Sequence, residues 1–152
     1  MANGITYGIA FPFNDSTDGK YLKLTQTAND EIRTDLIHLL LTRKGSRYYL
    51  PDFGTRLYEF IFEPLDGPTF SEIESEIRES AGNYLPGITI TNISIQAASE
   101  GSEDKGSYIN DNDERIFRVP NMSNKEHTAK VKIDYTINND VFNSSDFVII
   151  NI

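Results

Sequence analysis

The sequence predicts an α+β fold, because a block of helical periodicity is followed by a block of strand periodicity. Apolar residues recur at helical spacing between residues 27 and 84, and from residue 88 onward they alternate with polar residues. The 152 residues suffice for one domain with a buried core. We therefore expect three helices packed on one face of a small, mainly antiparallel β-sheet.

Each expected helix has a start or stop signal. Thr27, with Asp30 three residues later, can cap the first helix. The second must end before Pro64, which cannot continue a helix. Thr69 and Glu72 have the spacing of a capping box at the start of the third. The predicted helices cover residues 27–42, 55–62 and 69–83.

The expected strands follow the helices. Residues 129–137 alternate without a fault, which is typical of an antiparallel sheet covered on one face. Between residues 88 and 95 the alternation slips by one residue near Thr91, which predicts a β-bulge. Shorter strands are expected at residues 116–119 and 147–152.

Two segments lie outside this block of helices and strands. In residues 1–26, apolar and smaller or polar residues alternate on both sides of a turn-rich run, which we interpret as an N-terminal extended arm or hairpin. A single domain is expected at residues 27–152. Residues 98–127 separate two predicted strands. Between residues 100 and 114 this segment carries six acids and one base, so we expect an exposed acidic insertion.

Composition narrows the classes of function. The chain has a formal charge of −9 and no cysteine. The charge disfavours nucleic acid as a partner, and the lack of cysteine excludes thiolate catalysis and cysteine-based metal sites. The apolar runs are too short to cross a membrane, and the first residues do not resemble a signal peptide. We expect neither nucleic acid nor a membrane as a partner.

Motifs for catalysis or cofactors are not found. His38 and His127 stand apart from any metal-binding pair, and the acidic run at residues 111–114 lacks the glycine and final glutamate of a calcium loop. No nucleophile elbow or phosphate-binding glycine loop occurs. We expect no catalytic, cofactor-binding or metal-binding residues.

A longer pattern of motifs between residues 27 and 95 is more specific for a protein family than any single short motif. It consists of Leu39-Leu40-Leu41-Thr42, Arg43-Lys44-Gly45-Ser46-Arg47, Pro51-Asp52-Phe53-Gly54-Thr55-Arg56-Leu57, Ile61-Phe62-Glu63-Pro64 and Tyr84-Leu85-Pro86-Gly87-Ile88. In this order and spacing it resembles the sheath-initiator or baseplate-wedge family of contractile-tailed phages, which includes a baseplate component of type VI secretion systems. The chain departs from the usual Glu-Pro-Arg of that family at Leu85-Pro86-Gly87.

The resemblance implies a structural protein of the tail baseplate that nucleates the contractile sheath. Its partners would be baseplate wedge proteins and tail sheath subunits, with tail tube or hub proteins as further candidates. It would take sixfold positions in the virion, after synthesis in the host cytoplasm, and would need no cofactor.

Two groups of residues are candidates for binding those partners. On the helical side they are Arg43, Lys44, Arg47, Arg56, Tyr84, Pro86 and Ile88, and on the last strand they are Phe147, Val148, Ile149 and Ile150. The arginines could instead be a solvated helix end, or an ion network around Asp52. The last strand could be an exposed edge that receives a sheath strand, or it could complete the sheet of this chain.

A hydrolase is the alternative class, because members of the family have been labelled lysozymes. Glycoside hydrolysis needs two carboxyls across a cleft, and the candidates are Asp52, Glu59, Glu63, Glu72 and Glu74. Peptidoglycan cleavage that Glu63→Gln or Asp52→Asn abolishes would favour this alternative. We expect instead that the chain is not an enzyme and that Glu72, Glu76 and Glu79 form a solvated helix face. A generic cytoplasmic binding module, which would sediment with no particle, is a further alternative.

Overall fold

The computed structural model describes residues 6–11, 13, 15–16, 21–64, 66–97, 116–117, 129–138 and 143–151. In chain order its elements are α1 (Ala28–Leu41), a 3₁₀ helix (Leu57–Phe62), α2 (Gly67–Tyr84), β1 (Ile88–Ala97), β2 (Ile116–Phe117), β3 (Ala129–Asn138) and β4 (Asn143–Asn151). The acidic insertion predicted at residues 98–127 lies outside the described residues except for β2.

The strands form one sheet in the order β1-β3-β4-β2. Strands β1, β3 and β4 pair antiparallel, and β2 lies parallel to β4. The expected α+β fold with a mainly antiparallel sheet is therefore confirmed. The register of β1 against β3 shifts between Ile90 and Asn92, which confirms the predicted bulge.

The prediction of three α-helices is wrong, because the structure has two in its described part. The middle segment is a 3₁₀ helix, in which Glu59 donates to the Arg56 carbonyl oxygen and Glu63 to that of Phe60. Six residues between a loop and Pro64 form too few α-helical hydrogen bonds to offset the cost of starting a helix.

The N-terminal cap predicted from the sequence is correct for α1 and wrong for α2. The Thr27 hydroxyl accepts a hydrogen bond from the Asp30 amide at 3.1 Å, as predicted. The capping box predicted at Thr69 is wrong, since α2 begins two residues earlier and Asp66 accepts from the Thr69 amide at 3.2 Å. Aspartate caps as well as threonine does, and Pro68 suits the first turn.

Both α-helices pack on one face of the sheet around a continuous core. Alternate residues of β3 are almost fully buried there, as the even alternation at residues 129–137 predicts. The core contains Leu36, Ile37, Leu40, Leu57, Ile73, Ile77, Ala81, Val131, Ile133, Tyr135, Ile137, Val148 and Ile150.

The described part of the N-terminal segment pairs with itself. Tyr7 donates to the Thr25 carbonyl oxygen, Thr25 donates to that of Gly8, and an antiparallel bridge joins Ile9 to Leu24. The Thr25 hydroxyl also bonds the Glu31 carboxylate on α1. The segment is therefore tied to the domain, while its role as a separate arm over residues 1–26 stays a prediction.

Tyr135 places a phenol inside this core. Its hydroxyl donates to Asp146 on β4 at 3.4 Å, and the guanidinium of Arg33 lies on the same carboxylate at 3.5 Å. Burial, and then the negative charge of Asp146, raises the pKa of Tyr135 above its ordinary value near 10. Above that pH the unfolded chain releases a proton that the folded chain keeps, so stability falls as pH rises.

We expect Tyr135→Phe to flatten the alkaline part of the stability profile. At neutral pH the variant should lose about 1 kcal/mol, because one long hydrogen bond disappears. From about pH 9 to pH 11 its free energy of unfolding should decline less than that of the parent. Urea unfolding followed by circular dichroism measures both, and equal declines would contradict the prediction.

Candidate functional site

The helical-side candidates surround the loop that leaves α1. The Thr55 amide donates to the carbonyl oxygen of Thr42 at 2.9 Å, and the Lys44 amide donates to that of Thr55 at 3.0 Å. These bonds form a parallel bridge between Arg43 and Thr55. The loop therefore returns to the C-terminal end of α1 and does not extend freely into solvent.

Gly54 makes this return possible. Its φ is +112°, and a Cβ atom there would overlap the carbonyl oxygen of Thr42. The next residue, Thr55, donates its hydroxyl to the Leu40 carbonyl oxygen at 2.7 Å, while Ser80 of α2 donates to the Gly54 carbonyl oxygen at 3.1 Å. The loop is therefore fastened to both α-helices.

A buried carboxylate holds the other end of the loop. Glu76 of α2 is 7% exposed and accepts hydrogen bonds from the Arg56 amide at 3.0 Å and from its guanidinium at 3.3 Å. This contact raises the pKa of Arg56. The expectation that Glu76 lies on a solvated face is wrong, because Glu76 is buried and bonded to Arg56, which precedes the 3₁₀ helix, whereas Glu72 and Glu79 are exposed.

The two arginines nearest α1 lie over aromatic rings. The Arg47 guanidinium is 3.9 Å from the centre of the Phe53 ring, and that of Arg43 is 4.9 Å from the centre of the Tyr58 ring. Asp52 forms no ion pair with any residue that the structure describes. Cation–π contacts therefore replace the ion network considered as an alternative.

Aromatic side chains form a row across this end of the domain. Ring centres are 5.5 Å apart between Phe13 and Phe11, and 6.2 Å between Phe11 and His38. The row continues to Phe53 at 6.3 Å and from there to Tyr84 at 5.1 Å. It joins the N-terminal segment, α1, the loop and the end of α2, so Phe53 and Tyr84 serve the packing of the domain.

The turn after α2 is fixed to the sheet. The Ile88 amide donates to the Leu85 carbonyl oxygen at 3.2 Å, and the Asn138 amide donates to that of Gly87 at 2.9 Å. Ile88 packs against the core, while Pro86 is exposed. Pro86 and Lys44 are thus the helical-side candidates whose exposed side chains take no part in these internal contacts.

The last strand completes the sheet of this chain. Val148, Ile149 and Ile150 of β4 are at most 2% exposed, and Phe147 is half-buried with the Lys132 ammonium 5.2 Å from its ring centre. Every residue of β4 is paired with β3. Val148 and Ile150 therefore belong to the core, and a strand added at β4 would pair with the backbone on its outer side.

The hydrogen-bond pattern shows which backbone groups face outward. The Asn138 amide points toward β1, so alternate residues of β3 point toward β4, and Ser145 and Phe147 point away from β3. The Phe147 amide donates to the Asp146 carboxylate at 2.8 Å. On β1, the outward carbonyl oxygen of Ile90 accepts from the Arg78 guanidinium at 3.1 Å.

The five candidate carboxylates are exposed or paired. Asp52, Glu59, Glu63 and Glu72 are exposed, and Glu74 pairs with Arg78 at 2.9 Å. A cavity of about 50 Å³ lies instead between α1 and the N-terminal segment, and none of the five lines it. The described ranges contain no cluster of three potential metal ligands and no helix long and apolar enough to span a membrane.

Two exposed aromatic residues escaped the sequence reasoning. Tyr48 is 91% exposed and Tyr49 is 93% exposed, on the loop between Gly45 and Pro51. The sequence did offer a signal for their exposure. The two aromatic residues are adjacent, between a basic run and a turn, and no predicted strand or helix would bury them.

Solved structures contain the same arrangement of helices and sheet. A chain of the cryo-EM structure of the anti-feeding prophage baseplate has a TM-score of 0.54 and 25% sequence identity, over 62% of this chain and 74% of that one. A crystal structure of a candidate tail lysozyme from Geobacter sulfurreducens has a TM-score of 0.55, over 84% of this chain and 93% of that one. At 17% identity this second likeness shows the fold alone. The fold is therefore one found in the baseplate of a phage-like particle.

Sequence comparison identifies the family. The model of the family described as baseplate wedge protein gp25 matches residues 26–110. The chain belongs to this family, which confirms the resemblance seen in residues 27–95. Baseplate wedge protein gp25 of Enterobacteria phage T4 is 37% identical over 57 residues, which are 38% of this chain and 43% of the phage protein. The match thus spans less than half of that relative.

We expect Gly54→Ala to be strongly destabilising. The variant combines an unfavourable positive φ with an overlap on the Thr42 carbonyl, so it should lose about 3 kcal/mol or more. Gly45→Ala is the matched control, since Gly45 has a φ of +87° but no atom lies within 4 Å of its added Cβ. It should lose only about 1 to 2 kcal/mol. Equal losses in urea unfolding would show that the close approach to Thr42 is unimportant.

Proposed function

We propose that this protein is a structural component of the baseplate wedge in a contractile, phage-like tail. The family match over residues 26–110 carries this proposal, because it includes both α-helices and the loop that Gly54 and Glu76 fasten between them. The proposed partners are other wedge proteins on the helical side and sheath subunits on the sheet side, with tail tube or hub proteins as further candidates.

A structural role also agrees with the way polar groups are used. The buried carboxylate Glu76 is occupied by Arg56, and Asp146 is occupied by Tyr135 and Arg33. Glycoside hydrolysis requires two carboxyls across a cleft, and none of the five candidates lines the cavity between α1 and the N-terminal segment. We therefore propose no enzymatic activity, and the likeness to the candidate tail lysozyme supports the fold alone.

We expect tail particles purified from producing cells to contain this chain at a fixed low copy number. A multiple of six per particle would match sixfold placement, as in the 6-fold symmetrised prophage baseplate. Quantitative mass spectrometry against isotope-labelled peptides of this chain, sheath and tube measures the ratio. Absence from intact particles would contradict the structural role and would favour a generic binding module.

For sheath nucleation, we propose that a strand of the first sheath ring is added to the outer side of β4. Ser145 is exposed, and its outward amide is not used by the ladder with β3. Among the residues described, β2 pairs on this side with Ile149 and Ile150 and does not reach Ser145. Backbone pairing at such an edge gives affinity without moving core side chains. Deleting residues 147–152 cannot test this, because three buried residues would be lost.

We expect Ser145→Pro to abolish sheath nucleation while the domain stays folded. Proline removes the outward donor at residue 145 and leaves the ladder with β3 in place. Ser145→Thr keeps the amide and favours a strand, so it should nucleate normally. Electron microscopy of tails counts extended sheaths, and circular dichroism checks folding. Full-length sheaths on a folded Ser145→Pro variant would exclude this edge.

On the helical side, the proposed wedge-binding residues are Arg43, Lys44, Arg47, Arg56, Tyr84, Pro86 and Ile88. Arg43 and Arg47 are stacked on rings and Arg56 is bonded to Glu76, so replacing them would change both stability and binding. Lys44 is exposed, and no described contact engages its side chain. Substitution of Lys44 therefore tests the role of surface charge in wedge binding with the least effect on the fold.

A further inference from the structure

We propose that Tyr48 and Tyr49 are the anchor by which this chain binds an acidic segment of another baseplate protein. The inference rests on the proposed function and specifies its helical-side interface. The two rings are 91% and 93% exposed, and they meet edge to face with centres 5.1 Å apart. Leu50 beside them is 45% exposed, so the loop offers a continuous apolar tip.

The loop that carries these rings is already ordered. The Gly45 amide donates to the Pro51 carbonyl oxygen at 2.6 Å, which closes the loop across residues 46–50. The Phe53 amide donates to the Leu50 carbonyl oxygen at 3.1 Å, and Arg47 packs on the Phe53 ring. A loop held in this way loses little entropy on binding, and exposed tyrosines on such a loop are favoured as interface anchors.

The charge around the loop indicates the chemistry of the partner. Residues 43–53 contain three bases and one acid, a local charge of +2 in a chain of −9, so the remainder carries −11. An acidic partner is repelled by most of this molecule and attracted by this loop, which orients its approach. Lys44 supplies an exposed cationic side chain in the same loop, while Arg43 and Arg47 are held by Tyr58 and Phe53.

Nitration with tetranitromethane tests the burial of the two rings on assembly. In the free chain we expect Tyr48 and Tyr49 to react as readily as Tyr21, which is 96% exposed, while the fully buried Tyr135 is protected. In purified particles, Tyr48 and Tyr49 should become at least about tenfold less reactive, because an interface anchor is sealed from water. Unchanged reactivity in particles that contain the chain would overturn this inference and leave the proposed function intact. Absence of the chain from particles would overturn the proposed function.

Carbodiimide crosslinking tests the acidic character of the partner. The reagent joins an amine to a carboxylate in direct contact, so Lys44 should be linked to an aspartate or glutamate of another baseplate polypeptide. A Lys44 crosslink found only to a carboxylate of this same chain, in one copy or in a second, would overturn the proposal. So would the lack of any link from Lys44 in particles.

Substitutions measure the contribution of each part. Tyr48→Ala with Tyr49→Ala should reduce incorporation into particles at least about tenfold, without lowering the melting temperature, since neither ring packs in the core. Lys44→Glu should reduce incorporation and make it less sensitive to salt. Gln26→Glu with Gln96→Glu is the matched control, because both residues are exposed and the net charge changes equally. Normal incorporation of the tyrosine variant, or an equal loss in the charge control, would overturn the proposal.

Discussion

The close approach of Gly54 to the end of α1 is the constraint on which the helical side depends. A glycine is needed because the backbone has a positive φ and the Thr42 carbonyl leaves no room for a side chain. With the loop against the end of α1, hydrogen bonds of Thr55 and Ser80 hold it to both α-helices. At the end of the loop, Arg56 donates hydrogen bonds to the Glu76 carboxylate. The family match covers these same residues.

The loop divides the basic residues 43–47 into arginines that pack against rings of the same domain and a lysine that faces solvent. Arg43 and Arg47 have their charges on aromatic rings, while Lys44 and the two tyrosines between Gly45 and Pro51 remain available. The sheet offers a different kind of contact, because the buried side chains of β4 leave only backbone groups on its outer side. Two partners can therefore be bound by different chemistry on different elements, and neither contact requires the core to open.

Sequence reasoning recovered the features that depend on local pattern. The periods of the two α-helices, the even alternation of β3 and the bulge in β1 follow from residue order alone. The errors arise where long-range contacts decide. The segment at residues 57–62 is a 3₁₀ helix because it is short and lies between a loop and Pro64. Glu76 is buried where it accepts hydrogen bonds from Arg56, 20 positions earlier in the chain. The exposure of Tyr48 and Tyr49 depends on how the loop is closed, which no periodicity predicts.

The contact of Arg78 with Ile90 has a consequence for the behaviour of the protein in solution. The guanidinium occupies an outward carbonyl of β1, the strand at one border of the sheet. Two copies that met edge to edge through this border would have to displace that bond and bury a cation. Open-ended growth of β-structure from one molecule to the next is thereby opposed on the β1 side. A single side chain of α2 thereby protects this border of the sheet from pairing with a second copy.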